Sequence, residues 1–294
     1  MLNNSIQNRY NFMMLFDVKN GNPNGDPDAD NMPRIDPETN MGLVTDLCLK
    51  RKIRNWIQMN KDPEKGYDIY INDQGTLNSK DESALVAKNE AKPAKKDEEQ
   101  FVIDFMTRRY FDVRTFGAVM TGFKKKEAKL SGKAGQITGP VQLVLAQSVD
   151  PIYPQNLTIT RCAITTEKDA EEKDNEMGNK WIVPYGLYCC KGYVSANLAK
   201  RTGFSEEDLE TLWSAIVNMF EDDRSAARGE MVMRKLIIFK HEGKEGTAQA
   251  HKLFGLVKVA KKENVDTPRN YSDYDVYVPS QDELPEGVTI DVRD

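Results

Sequence analysis

Nine consecutive residues near the start of the chain, Tyr10–Val18 (YNFMMLFDV), are almost all aromatic or apolar and run out into Lys-Asn-Gly. A run like this, bounded by turn residues, reads as a central strand. The chain is long enough to build a sheet around it. With 294 residues, 39% of them hydrophobic, it can bury roughly three quarters of its unfolded surface, in one large core or two modest ones. That composition is too apolar for a disordered chain. No stretch approaches the roughly 18–20 apolar residues of a membrane span. Met1–Arg9 is polar, with no apolar signal region behind it, so a cytoplasmic protein without a membrane partner is expected.

After the strand, residues 20–40 (NGNPNGDPDADNMPRIDPETN) are dense in Asn, Gly, Pro and Asp and read as a long loop. Leu43–Met59 reads as a helix with Thr45 or Asp46 as N-cap. Leu49, Ile53, Trp56 and Ile57 share one face, and Lys50, Arg51 and Arg54 fall on the opposite side. Residues 61–100 are polar and turn-rich, an insertion with a helical piece, and apolar periodicity resumes over Phe101–Tyr110. Residues 121–138 combine glycines with a lysine cluster and read as a loop. Val141–Val149 and Leu157–Ile164 look like strands. The charged segment 167–180 is bracketed by strand-like sequence, the pattern of a hairpin standing off a sheet. Ser205 and Asp208 have capping-box spacing, ahead of an apolar stripe formed by Leu209, Leu212, Trp213, Ile216, Val217 and Phe220. Met231–Phe239, Leu253–Val259 and Asp275–Val278 read as further strands. The order strand, helix, strands, helix, strand predicts an α+β fold, an elaborated ferredoxin-like or RRM-like sheet.

The formal charge of −5 is unevenly spread. Residues 108–135 hold eight basic residues against Asp112 and Glu127, while residues 273–294 hold seven acids against Arg293. A basic working surface with an acidic tail fits this pattern, and so do ordinary solvated faces.

Several constellations invite chemistry and fail on spacing. DPDAD at 26–30 starts like a calcium loop, but Asn31 stands where an EF-hand needs Gly and Pro37 where it needs Glu. Clustered Asp26, Asp28 and Asp30 could serve a metal-dependent nuclease. Asx turns account for the same composition, and loops of this kind far outnumber metal sites. Gly132-Lys133 lacks the rest of a P-loop, because Ala134 replaces Ser/Thr. Four cysteines without Cys-x-x-Cys spacing, beside only His241 and His251, suggest neither a disulfide frame nor zinc. No cofactor or metal is expected. The Lys50, Arg51, Lys52 and Arg54 set follows directly on an Asn/Gly-rich loop. It suits phosphate oxygens, with loop amides adding neutral hydrogen bonds; a solvated helix back is the plainer alternative.

Taken in order, the segments NGNPNGDPDADNMPRIDPET, LVTDLCLKRKIRNWI, DVRTFGAVM, GQITGPVQLVLAQSVDPI, VPYGLY and DRSAARGEMVMRKLIIFKHE resemble the backbone subunit of type I-C CRISPR Cascade, the Cas-seven family of the RAMP superfamily. The likeness spans about Tyr10 to Phe254. It implies an RRM-like palm, a helical finger insertion at about 61–110 and a thumb hairpin at about 164–184. It implies a non-catalytic subunit whose copies stack head to tail along a CRISPR guide RNA (crRNA) and present it to target DNA. Its partners would be a guide-processing cap subunit, a large and a small subunit and, indirectly, a recruited helicase–nuclease. Carried over position by position, the guide contacts would be Asn22, Asn24, Lys50, Arg51 and Arg54, joined by Arg114. Met177 or Trp181 would be the thumb wedge, and Lys124, Lys125 and Lys126 would face target DNA. The competing expectation is a metal-dependent RNase of the type III backbone kind, acting through Asp26.

Overall fold

The computed structural model describes residues 5–120, 136–164 and 175–294. The central strand runs over Tyr10–Gly21, longer than its apolar stretch. It pairs antiparallel with Glu176–Val194 on one side and Glu230–His241 on the other. Ala146–Pro151 lies beyond Glu176–Val194, Met41–Val44 closes that edge, and Val288–Arg293 closes the opposite one. Take Tyr10–Gly21, Ala146–Pro151, Glu176–Val194 and Glu230–His241 as first to fourth in chain order. They lie in the sheet as fourth, first, third, second. The helix Asp46–Asn60 falls between the first and second, and Glu206–Asn218 between the third and fourth. This is the RRM-like, ferredoxin-like arrangement expected from the order of elements.

The two-residue period of the central strand sorts its side chains. Tyr10, Phe12, Met14, Phe16 and Val18 join one core with Leu49, Ile53 and Ile57 of the first helix and Leu209, Leu212, Trp213 and Ile216 of the second. Met13 and Leu15 join a different core, with Leu253, Phe254, Tyr274 and Val288. Both faces are therefore covered, which is why the run could carry apolar residues on both. The Trp213 ring meets Phe12 edge-on at 4.9 Å. The capping box forms as its spacing predicts: Asp208 N donates to Ser205 Oγ at 3.1 Å and Ser205 N to the Asp208 carboxylate at 2.9 Å. Ser205→Ala is expected to lower stability by about 1 kcal/mol, read as a shifted denaturant midpoint at unchanged slope.

A third core belongs to the insertion. Helices Leu77–Ala91 and Glu98–Arg109 gather Ala84, Val102 and Met106 around Tyr70, Tyr110 and Val113, and the cluster reaches on to Met120 and Ile137. Further along, Gln155–Arg161 and Glu176–Ile182 form an antiparallel ribbon, and every residue of Gln155–Arg161 is exposed. The ribbon overlaps the segment 164–184 where a thumb is expected, and residues 165–174 of that segment lie outside the described residues.

Two expectations change. Leu253–Val259 is not a strand. Ala250–Leu256 is a helix that sets Leu253 and Phe254 against the sheet, and the strand Lys258–Lys261 follows it. A short apolar run fits either element by periodicity alone. Nor do the acidic residues 273–294 form a free tail. Tyr274–Tyr277 pairs with Lys258–Lys261, and Val288–Arg293 completes the main sheet. Some of that charge is neutralised locally, because Arg293 meets Asp291 at 2.9 Å and Lys235 meets Asp294 at 2.6 Å.

His241 is fully buried. Nε2 lies 2.8 Å from Asn11 Oδ1, and Nδ1 accepts from Thr247 N at 3.3 Å, so the ring is neutral with its proton on Nε2. Burial, and then the charge of Arg9, push its pKa below the ordinary 6.5. In the unfolded chain the ring takes up a proton near 6.5, whereas the folded state resists it. Its contribution is therefore present above about pH 6.5 and is lost as the pH falls toward the depressed folded value. Burial raises the Asp17 carboxyl, which acts in the opposite sense at lower pH. Denaturation midpoints should fall between about pH 7 and pH 6, and His241→Gln should flatten that slope.

Candidate nucleic-acid interface

The loop leaving the central strand and the loop entering Glu230–His241 are forced together by two glycines. A Cβ on Gly21 would lie 1.8 Å from the Arg228 carbonyl oxygen, and one on Gly229 would lie 2.4 Å from that of Asn20. Gly229 also holds φ +60, which favours glycine. Asn22 N donates to Ala227 O at 2.8 Å, locking the two loops side by side. The first helix starts next to them. Thr45 caps it, with Cys48 N donating to Thr45 Oγ1 at 3.2 Å, and Asn24 Oδ1 accepts from both Thr45 N (2.9 Å) and Thr45 Oγ1 (3.0 Å).

Between these three segments lies an open groove of about 520 Å³. Asn22, Asn24 and Asn31 line it from the first loop, Arg51, Lys52 and Asn55 from the helix, and Ser225 and Arg228 from the second loop. A second hollow of about 920 Å³ shares Leu47, Arg51 and Asn55 with it and runs on past Gln58 and Met59 to Ile71 and Asn72 of the insertion. Leu47 and Met59 are 70% and 58% exposed, so apolar side chains flank the polar track.

The charges divide sharply. Arg51 is exposed and has no ion pair among the described residues. Arg228 donates Nε to Asp223 at 2.9 Å and is about one third exposed. Lys52 is buried against the same Asp223 carboxylate and beneath the Phe220 ring. Burial pushes the Lys52 ammonium below its usual pKa, and Asp223 pulls the other way. Burial likewise raises the Cys48 thiol, which keeps it protonated on the groove wall. The Arg51 guanidinium, the outward face of Arg228 and several amides thus suit an anionic, hydrogen-bonding polymer.

The other nominated residues are placed differently. Lys50 pairs with Asp46 at 2.9 Å and lies over the Phe116 ring. Arg54 is buried, its Nε donating to Asp112 at 2.8 Å. Arg114 is buried too, bidentate to Asp208 at 2.7 and 3.0 Å. The expected face of Lys50, Arg51 and Arg54 is therefore revised. The helix Phe111–Phe116, just after the insertion, packs Phe116 and Asp112 against that flank, and Arg51 alone of the three projects outward. Arg54 and Arg114 tie palm to insertion, since a buried guanidinium without its carboxylate would be strongly unfavourable. Asn22 and Asn24 do line the groove, as structural members of the loop. Arg228 was not nominated from sequence. Its only signal was the Asp-Arg-Ser-Ala-Ala-Arg-Gly segment, whose nearness to Gly21 is a tertiary fact.

Asp26 caps the short 3-10 turn Pro27–Ala29, accepting from Asp28 N at 3.2 Å, and pairs with Arg34 at 3.3 Å. Its carboxylate is thus engaged in the turn chemistry that the Asp/Pro composition suggested. No group of three or more His, Cys, Asp or Glu side chains able to hold a metal is found among the described residues. On the ribbon, Met177 is 78% exposed, and Trp181 is half-buried on the same face. Lys124, Lys125 and Lys126 lie outside the described residues. Among the described residues, no helix is long and apolar enough to cross a membrane.

A family model described as CRISPR-associated protein Cas7 matches residues 8–279. The chain is 26% identical over 271 residues to a CRISPR-associated protein Cas7 of Haloferax volcanii, covering 86% of this chain and 75% of that one. Among solved structures it is similar to a chain of a CRISPR RNA-guided surveillance complex in a pre-nicking state, at 13% identity and a TM-score of 0.47, over 79% of this chain and 78% of that one. It is also similar to a chain of a Type III-B Cmr-beta complex bound to cognate target RNA, at 11% identity and a TM-score of 0.41, over 79% and 61%.

Proposed function

The chain belongs to the CRISPR-associated Cas7 family, and from that premise we propose that it is a non-catalytic, crRNA-binding backbone subunit of a type I-C Cascade. In this reading copies stack head to tail along the guide and hold its sugar–phosphate track. The base edges stay free to pair with target DNA. The cap, large and small subunits complete the particle, and a separate helicase–nuclease does the cutting. The observation that carries the reading is the groove, in which Arg51, without an ion pair among the described residues, a partly exposed Arg228 and loop amides converge between three segments that fold around Gly21 and Gly229. Such donors meet phosphates and leave sequence to base pairing. Modest grip per copy, summed over a filament, is compatible with a net charge of −5. Met177, exposed near the tip of the ribbon, is the better-placed wedge of the two candidates, because an inserted side chain must leave its own fold to reach a base step.

The test is to purify the assembled complex and incubate it with complementary RNA and magnesium. Intact RNA, bound with the same affinity for unrelated guide sequences, is the expected result. Regularly spaced cleavage that vanishes in Asp26→Ala would replace this reading with the RNase one.

A further inference from the structure

Among the described residues that line the groove, one buried side-chain acceptor lacks a donor. Asn22 is only 8% exposed. Its Nδ2 donates to Asn31 O at 2.7 Å, which orients the amide, and its Oδ1 is buried with no hydrogen-bond partner. A buried carbonyl oxygen left unpaired is unfavourable, so this one is poised to gain from any ligand that brings a donor. Asn24, across the same loop, has its own Oδ1 filled by Thr45. A phosphate cannot satisfy Asn22, because it offers only acceptors. On a single strand the remaining donors are base amino and imino groups and the ribose 2′-hydroxyl. Base groups vary with sequence and must stay free for pairing, whereas the 2′-hydroxyl is present on every ribonucleotide and absent from DNA.

Resting on the guide-binding reading above, we infer that Asn22 is the residue that selects RNA over DNA in this groove, its Oδ1 accepting from a ribose 2′-hydroxyl while Arg51 and Arg228 hold the flanking phosphates. Asn31 O holds the Asn22 amide and Asn31 N donates to Asp26 O at 2.8 Å, so a donor reaches the buried oxygen only by displacing part of a hydrogen-bonded loop, a cost the new hydrogen bond must exceed.

The test uses the full chain and short single-stranded oligonucleotides of one sequence in three chemistries: RNA, DNA and 2′-fluoro RNA. The fluoro sugar keeps the RNA pucker but cannot donate. RNA is expected to bind about three- to tenfold more tightly per engaged copy than either of the others, and Asn22→Ala is expected to narrow the RNA-to-DNA ratio toward one. If 2′-fluoro RNA binds as RNA does, sugar shape rather than a hydroxyl donor is being read, and the inference is wrong. If RNA and DNA bind equally while Arg51→Ala weakens both, the inference fails and the phosphate groove stands. If neither binds, the guide-binding reading fails along with it. Because the three oligonucleotides are compared on the unaltered protein, the result does not depend on whether Asn22→Ala folds.

Discussion

Replacing Asp112 with alanine should cost about 3–5 kcal/mol, a large fraction of the roughly 5–15 kcal/mol that holds an ordinary domain folded. Asp112 is almost wholly buried. Its Oδ2 accepts from Arg54 Nε at 2.8 Å and from Ile71 N at 3.1 Å, and its Oδ1 accepts from Tyr70 N at 2.8 Å. Removing it strands a buried guanidinium over the Phe116 ring and leaves two backbone donors facing the missing carboxylate, at the seam where the insertion meets the palm helix. Denaturant unfolding measures the loss directly. A companion variant, Arg54→Met with Asp112→Leu, should recover the part due to the uncompensated charge, while Tyr70 N and Ile71 N stay without the carboxylate. A change below about 0.5 kcal/mol in Asp112→Ala would mean that the seam is not held by this pair.

Removing both groove arginines should leave the fold intact and weaken RNA binding severely. Each charge-assisted hydrogen bond to phosphate contributes about 1.5–3 kcal/mol, roughly ten- to hundredfold in affinity. Arg51→Ala with Arg228→Ala should also lower the slope of log affinity against log salt by about 1.4, at 0.7 per phosphate contact on a single strand. The loss should be the same for unrelated sequences. Asp223 complicates one arm, since it holds both Arg228 and Lys52; without Arg228 its carboxylate still has the ammonium as partner. Titration of labelled RNA at several salt concentrations gives both numbers. A sequence-dependent loss, or an unchanged slope, would remove these residues from the phosphate contacts.

Periodicity carried most of the palm. The apolar run at Tyr10–Val18, the stripe from Leu209 and the Ser205 box each follow local rules that the surrounding structure does not override. The site was legible only where a residue's surroundings come from its own element. Arg51 lies on the stripe shared with Leu47 and Asn55, and it is exposed as a helical wheel would have it. Lys50 and Arg54 lie one turn-step away, on a flank that a wheel also counts as outward. That flank is covered by Phe116 and Asp112 from a helix more than fifty residues downstream. Burial of a charge by a distant segment leaves no mark on local periodicity. Arg228 was missed for the reciprocal reason. It faces the groove only because Gly21 and Gly229 let two loops 200 residues apart touch.

Guide RNA is expected to run through the groove between the first loop, the palm helix and the loop before Glu230. Ultraviolet crosslinking of the purified particle with its own RNA, read out by mass spectrometry, tests it most directly. Crosslinked peptides are expected to cover Asn22–Asn31, Leu47–Asn55 and Ser225–Arg228. Crosslinks confined to the opposite sheet face around Leu253 and Tyr274, or a particle that carries no RNA, would contradict it.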